Sequence, residues 1–414
     1  MLKNLLSDFL GDLRAQKTRA FLTMFAVCWG TLSVVLLLAF GEGLKRALVA
    51  GTLGAGERML VIYGGTTSQT YEGLPTGRSI RLTESDLELL QRNIPEIDMV
   101  SASYGRWGTT VAAGANKTTA MMEGVDPDFQ YLRNMYPTAG GRFLNGRDME
   151  SRRRVVFLGD SIAKRLYPGE AAVGKTLLID GVPFTVVGTM EKKMQNSMNN
   201  GPDADRVIIP ASTMRTLYGR TYVSSLLVRP RDVTRVEAVK QRIADVLGSR
   251  YKFDAADQRA LSYWDFIEEE RMTRLISGGI QIFLGVVGAL TLLVAGIGVA
   301  NVMYVVVRER TREIGIKRSL GARRWHIVAQ FVFEALLITL VGGGIGLALA
   351  SGIVLGVDSL PDGNEAMQFL ANPKLSWPIG LGTVGILVAI GLIAGVFPAR
   401  KVARLDPVES LRYE

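Results

Sequence analysis

Apolar residues are not spread evenly along the chain. Phe21–Phe40 (FLTMFAVCWGTLSVVLLLAF) carries no charge over about 20 residues, enough to cross a bilayer core. A second uncharged run covers 275–307. A third covers 327–357, broken only by Glu334, and a fourth covers 377–397. A cleaved signal peptide is a poor fit to the first run, which is long and has no small-residue cleavage site close behind it. The second run is longer than a ~30 Å core requires, which predicts tilt or a projecting stalk. Between the first two runs, 41–274 alternates in shorter periods. Arg58–Gly65 and Asp98–Gly105 read as strands, and so does Ser224–Pro230. LTESDLELLQRNIP reads as a helix with Thr83 as N-cap and Asp86 at N3, and Val233–Leu247 as another helix. Two strand–helix units separated by a long insertion predict an α+β domain with a second subdomain set into it.

Charge gives the pattern a direction. The N-terminal stretch, the loop between the second and third runs and the C-terminal tail together hold 15 basic residues against 7 acidic ones. That is nearly the whole net charge of +9. The opposite loop, 358–376, has only Lys374. The positive-inside rule therefore places both termini and the 308–326 loop in the cytoplasm and 41–274 outside it. Basicity on that face suits anionic lipid, and no nucleic-acid partner is needed to explain it. Leu2, Leu5, Leu6, Phe9, Leu10 and Leu13 recur at helical spacing. They predict an amphipathic helix on the inner surface, or one buried against a partner helix. GxxxG spacings at Gly342/Gly346, Gly352/Gly356 and Gly391/Gly395 allow close helix approach, inside the chain or between copies.

Candidate chemistry is sparse. One cysteine, Cys28, leaves no intramolecular disulfide and no multi-Cys metal site, and one histidine, His326, argues against a His-based metal centre or a Ser/His/Asp triad. GEAAVGKT, Gly169–Thr176, satisfies the phosphate-binding pattern G-x-x-x-x-G-K-[ST]. That chemistry needs a strand entering the loop and a helix leaving it. Here DSIAKRLYP, a predicted helix, precedes the loop, and LLIDGVPFTVVG, two predicted strands about Asp180-Gly181, follows it. Gly169, Gly174, Lys175 and Thr176 are therefore assigned to a turn into a hairpin, with no cofactor bound. Glu334 is an acid inside an apolar span, a position that is functional by default unless it meets water or a basic partner near the span's end.

Several segments together resemble the MacB/FtsX-type permeases of ABC transporters. TRAFLTMFAVCWGTLSVVLLLAFGEGLKRAL is similar to that family's first span. VAGIGVANVMYVVVRERTREIGIKRSLGARRWHIVAQFVFEALL is similar to its second span, loop and third span, and GVFPARKVARLDPVESLRYE to its C-terminal signature. VVFLGDSIAKRLYPGEAAVGKTLLIDGVPFTVVGTM matches its periplasmic core-domain pattern, VGKT included. The resemblance implies four transmembrane α-helices plus a large α+β extracytoplasmic domain, with Porter-like (58–105 and 224–256) and Sabre-like (106–223) subdomains. The remaining assignments are an amphipathic helix 1–20, a first span 21–40 continuing as a stalk to about 57, and a second stalk 257–274. Then come spans 275–307, 327–357 and 377–397, a coupling loop 308–326, a short periplasmic loop 358–376 and a tail 398–414.

The resemblance also implies a bacterial inner-membrane permease that is not itself an enzyme. ATP and Mg would be held by a separate cytoplasmic ABC ATPase, whose hydrolysis moves the periplasmic domain (mechanotransmission). Further implied partners are a second copy or a paralogue, membrane lipids, and for export a membrane-fusion adaptor and an outer-membrane channel. Carried over to this chain, the ATPase-coupling element comprises Glu309, Arg312, Glu313, Gly315, Lys317 and Gly321. Export of a drug, peptide or lipid-like substrate is the leading expectation. Lipoprotein release, or FtsX-like signalling to a cell-wall hydrolase, is the alternative.

Overall fold

The structure is a computed structural model that describes residues 17–195, 199–359 and 373–403. The amphipathic helix expected over 1–20 lies outside these residues except for its last turn, as do most of the 358–376 loop and the tail from 404. Two compact units emerge. One runs from Leu48 to Arg274, and the other combines the chain up to Ala47 with the chain from Leu275.

The second of these holds the spans. Four described helices are long and apolar enough to cross a membrane. They are α1 (Lys17–Ala55), which continues into the other unit, then α8 (Phe266–Glu309), which begins there, α10 (Arg324–Asp358) and α11 (Trp377–Ala403). At ~1.5 Å per residue, α1 and α8 are each roughly twice the length a bilayer core needs. Val27, Val34, Leu292, Val299, Phe331 and Leu387 form part of one buried cluster between them. Two of the GxxxG pairs serve packing within the chain. A Cβ at Gly346 would lie 2.5 Å from the Cys28 carbonyl oxygen, and one at Gly395 would lie 2.7 Å from Cα of Val332. Side chains at Gly352 and Gly356 would meet nothing within 4 Å.

The unit Leu48–Arg274 is built on a nine-stranded sheet. Its strands are β1 (Leu60–Gly64), β2 (Ile97–Ala113), β3 (Asn116–Val125), β4 (Val155–Leu158), β5 (Thr176–Ile179), β6 (Val182–Thr189), β7 (Arg206–Pro210), β8 (Ser225–Pro230) and β9 (Leu261–Asp265). The helices are α2 (Ser85–Asn93), α3 (Phe129–Leu132), α4 (Gly146–Glu150), α5 (Asp160–Leu166), α6 (Ala211–Tyr218) and α7 (Val236–Tyr251). β3, β7, β4, β6 and β5 follow one another, and β2 pairs with both β3 and β5, so six strands close in a ring. The first half of β2 pairs instead with β8. β8, β1 and β9 extend from it as an open antiparallel sheet. Alternation sends Val156, Leu158, Val207 and Ile209 to one core, and Phe157 and Ile208 to another on the opposite face. β4 and β7 are buried throughout, and apart from Arg206 they read as unbroken apolar runs.

Three expectations need correcting. The subdomain boundary at 105/106 falls inside β2, a 17-residue strand with a bulge between Arg106 and Thr109. The open sheet and the ring therefore share a strand and one buried cluster. The stalk drawn from 257 begins later, because Leu261–Asp265 pairs with β1 along its whole length and helix starts only at Phe266. The helix after Thr83 starts at Ser85 with Glu84 as N-cap. Asp86 still takes the Thr83 amide at 2.7 Å, half of the expected box, and it also accepts from Tyr251 Oη at 2.6 Å.

Candidate functional site

α8 ends at Glu309, and a short helix, α9 (Thr311–Ser319), follows almost at once. Thr311 Oγ1 donates to the Arg308 carbonyl at 2.7 Å, closing the break between the two helices. Gly321, at φ +90°, turns the chain into α10, a conformation that glycine adopts without steric cost. Ile314 and Gly315 face inward and are buried. Arg312, Glu313, Ile316 and Lys317 are exposed on the other side, and so are Leu320 and Trp325 beyond the helix end. Leu320 is 83% exposed. The result is a surface with both charge signs and an apolar pair, Ile316 and Leu320, one turn apart.

The six residues carried over from sequence do not all share that surface. Arg312, Glu313 and Lys317 do, with the Lys317 ammonium donating to Gln330 Oε1 at 3.3 Å. Gly315 is buried, and Gly321 belongs to the turn. Glu309 is engaged within the chain, accepting Arg19 Nη1 at 3.1 Å. Glu334 is buried and meets Arg310 Nη1 at 3.2 Å. Sequence reading passed over Ile316 and Leu320, whose signal is an apolar i, i+4 pair in an otherwise charged loop. It also passed over Arg310 as the partner that a buried Glu334 requires.

GEAAVGKT connects α5 to β5, helix to loop to strand, the reverse of a phosphate-binding loop. Gly169 and Gly174 take φ +75° and +84°. The Lys175 ammonium pairs with Glu170 and lies 5.1 Å from the Tyr167 ring centroid. Among the described residues, no group of three or more His, Cys, Asp or Glu side chains is placed to hold a metal ion.

A second polar cluster lies within the Leu48–Arg274 unit. Asp203 is fully buried between Arg133 Nη2 at 2.5 Å, Lys193 Nζ at 2.7 Å and Arg206 Nε at 3.1 Å. Arg206 also binds Glu123 Oε2 at 2.5 Å and the carbonyls of Asn199 and Gly201. Burial alone would raise the Asp203 pKa, but Arg133, Arg206 and Lys193 outweigh it and hold the carboxyl well below the usual range. Burial lowers Lys193 to about 8, against the opposing pull of Asp203.

This cluster holds the segment after β6, and Arg133 and the residues beside it meet the domain-side ends of both long helices. Lys193 donates to the Arg133 carbonyl at 2.6 Å, and Asn134 Nδ2 donates to the Leu53 carbonyl near the end of α1 at 3.0 Å. A Cβ at Gly54 would lie 1.8 Å from the Met194 carbonyl oxygen, so loop backbone rests directly on α1. The Arg133 guanidinium lies 5.7 Å from the ring centroid of Phe266, the first residue of α8.

Comparison with known proteins adds to this geometry. Residues 20–246 match the family described as MacB-like periplasmic core domain, and 285–407 match the FtsX-like permease C-terminal family. A macrolide export ATP-binding/permease protein MacB of Bdellovibrio bacteriovorus is 29% identical over 97% of this chain and 60% of its own length. The MacB of Rhodospirillum rubrum is 33% identical over 97% of this chain and 59% of its own. The pyoverdine export ATP-binding/permease protein PvdT of Pseudomonas putida is 33% identical over 96% and 57%. The chain thus spans about 60% of the length of the curated relatives it matches. The crystallised periplasmic region of MacB from Actinobacillus actinomycetemcomitans aligns over 54% of this chain and 96% of that one. Its TM-score is 0.42 and its identity 18%. The first match alone covers more than half of the chain and the second takes in most of the second span and all of the last two, so the protein belongs to the MacB/FtsX-type family of ABC transporter permeases.

Proposed function

We propose that the chain is a permease subunit that docks a separate cytoplasmic ABC ATPase on α9 and turns ATP hydrolysis there into movement of its periplasmic domain. The observation that carries this reading is the exposed face of α9. Arg312, Glu313, Ile316 and Leu320 are presented outward while Ile314 and Gly315 hold the helix to the bundle. Mixed charge around an apolar pair suits a protein cleft better than a lipid headgroup layer, which would favour basic residues alone. The distribution of Lys and Arg supports a cytoplasmic position for this loop and for both termini.

α1 and α8 supply the transmission. Each is a single helix running from an apolar span into the Leu48–Arg274 unit, where the Arg133–Asp203 cluster fixes its end. ATP and its metal belong to the partner. This chain supplies the docking surface, the levers and the moved domain, and a second copy completes the assembly. The export roles in the relatives' names support export of a drug, peptide or lipid-like compound.

Glu313→Lys tests the docking. One charged hydrogen bond is worth about 1.5–3 kcal/mol, so its loss weakens association roughly ten- to a hundredfold. Co-purification of the variant with the ATPase should fall accordingly, while span insertion and the folding of the Leu48–Arg274 unit persist. Undiminished binding and transport by Glu313→Lys would remove α9 from the docking contact.

A further inference from the structure

We propose that Glu334 is a positioning residue that holds α9 in its docking orientation by a two-point clasp to α10. The inference rests on reading α9 as the docking element. Glu334 lies about ten residues inside α10, in an apolar span, and is 5% exposed. A carboxylate there is costly unless it is paired. Its partner Arg310 directly precedes the first residue of α9, with Nη1 3.2 Å from Glu334 Oε1. Gln330, one turn earlier on α10, donates Nε2 to the same oxygen at 3.4 Å. Gln330 also accepts, through Oε1, from Lys317 in the last turn of α9.

Both ends of α9 are therefore tied to a single turn of α10. Ile314 packs between them, in the cluster that includes Ile327 and Phe331 of α10. The outward direction of Arg312, Glu313, Ile316 and Leu320 follows from that clasp. Glu309, the last residue of α8, has a different anchor in Arg19 of α1. The helix break at Arg310 thus lies between Glu309, paired with α1, and the two contacts that tie α9 to α10.

The test uses the full chain in lipid nanodiscs with Glu334→Gln, Arg310→Gln and the double variant. Amide exchange across Thr311–Ser319 should accelerate about tenfold in each single variant. It should be no faster in the double, because the two changes remove one contact. Exchange through the middle of α10, Ile338–Ala350, should stay slow. Lys317→Met, which disturbs no buried group, should loosen only the last turn of α9, and it carries the test if Glu334→Gln does not insert. Unchanged protection of Thr311–Ser319 in these variants, or additive losses in the double, would overturn the clasp. Affinity for an ABC ATPase should drop about tenfold in Glu334→Gln, and full affinity in a variant with a loosened α9 would overturn the positioning role. Exchange is read without any partner. A wild-type chain that binds no ATPase would therefore defeat the docking reading, and the positioning role with it, whatever the exchange result.

Discussion

A carboxylate buried with neutral donors behaves differently from one buried among three cations. Asp126, directly after β3, accepts from Ser101 Oγ at 2.8 Å and from the Ala102 amide at 3.1 Å. Burial pushes its pKa up to about 6, against those two hydrogen bonds. A folded pKa above the unfolded value favours folding while the group is protonated. That contribution is complete below about pH 4 and is lost as pH rises through 6. It amounts to at most about 3 kcal/mol, at 1.36 kcal/mol per pKa unit. Denaturant unfolding of the solubilised chain should show stability declining from pH 4 to 6.5, and Asp126→Ala should flatten that slope. Asp203 has the opposite sign: its depressed pKa gives stability that is present above about pH 4 and lost as pH falls further. Asp203→Asn takes the buried carboxylate from Arg133 and Lys193 and leaves Arg206 with Glu123 alone, a loss of about 3–5 kcal/mol. Adding Lys193→Met removes one of those cations and should recover part of it. A double variant no more stable than Asp203→Asn would show that the three cations do not share the carboxylate. None of this cluster was legible in the sequence. Glu123 and Arg206 come from two strands and Arg133, Lys193 and Asp203 from connecting segments, and only Asp203 and Arg206, three residues apart, are close in sequence.

At the scale of elements, glycines in long helices divide into those that touch backbone and those that touch nothing. A methyl group at Gly54 would meet the Met194 carbonyl oxygen at 1.8 Å, and a backbone atom cannot swing aside. A methyl group at Gly285, in α8, would meet nothing within 4 Å. Gly→Ala in a helix gains up to about 1 kcal/mol of propensity. Gly285→Ala should therefore leave the melting temperature unchanged or slightly raised. Gly54→Ala should lower it and open the Glu191–Gln195 segment to protease, the steric cost exceeding the propensity gain by about 1–3 kcal/mol. Equal melting and equal proteolysis of the two variants would mean that the loop does not rest on α1.

Elements with an internal signal were legible: the uncharged runs of the four spans, the short apolar runs of β1 and β8, and the helix–turn–hairpin order around GEAAVGKT. Elements defined by distant partners were not. Leu261–Asp265 is five residues beside an acidic helix start, and it becomes a strand because Val61 lies opposite Trp264. β2 reads as ending near Gly105, where Arg106, Trp107 and Gly108 interrupt the alternation. The strand in fact continues through a bulge, because β3 goes on pairing with it to Ala113.

For the whole molecule, the deciding asymmetry is where charge sits relative to the spans. The Leu48–Arg274 unit mixes both signs in many ion pairs, such as Arg106–Asp180, Arg165–Asp205 and Arg242–Glu96. The net excess lies almost entirely in the short segments flanking the other unit's helices. A short basic flank resists translocation, whereas a large folded domain crosses largely regardless of its charge. The 308–323 stretch should therefore stay in the cytoplasm while 48–274 is exported. The measurement is cysteine accessibility in intact cells with only the outer membrane permeabilised, in a Cys28→Ser background. Cys28 sits half-buried in α1, so its removal spares every site named above. Cysteine at Gly201, in the turn before β7, should react with a membrane-impermeant maleimide. Cysteine at Ser319, the exposed last residue of α9, should react only after the inner membrane is opened. Labelling of the Ser319 site in sealed cells would invert the molecule. It would place α9 out of reach of any cytoplasmic ATPase, and the docking, the positioning role of Glu334 and the lever action of α1 and α8 would have to be abandoned together.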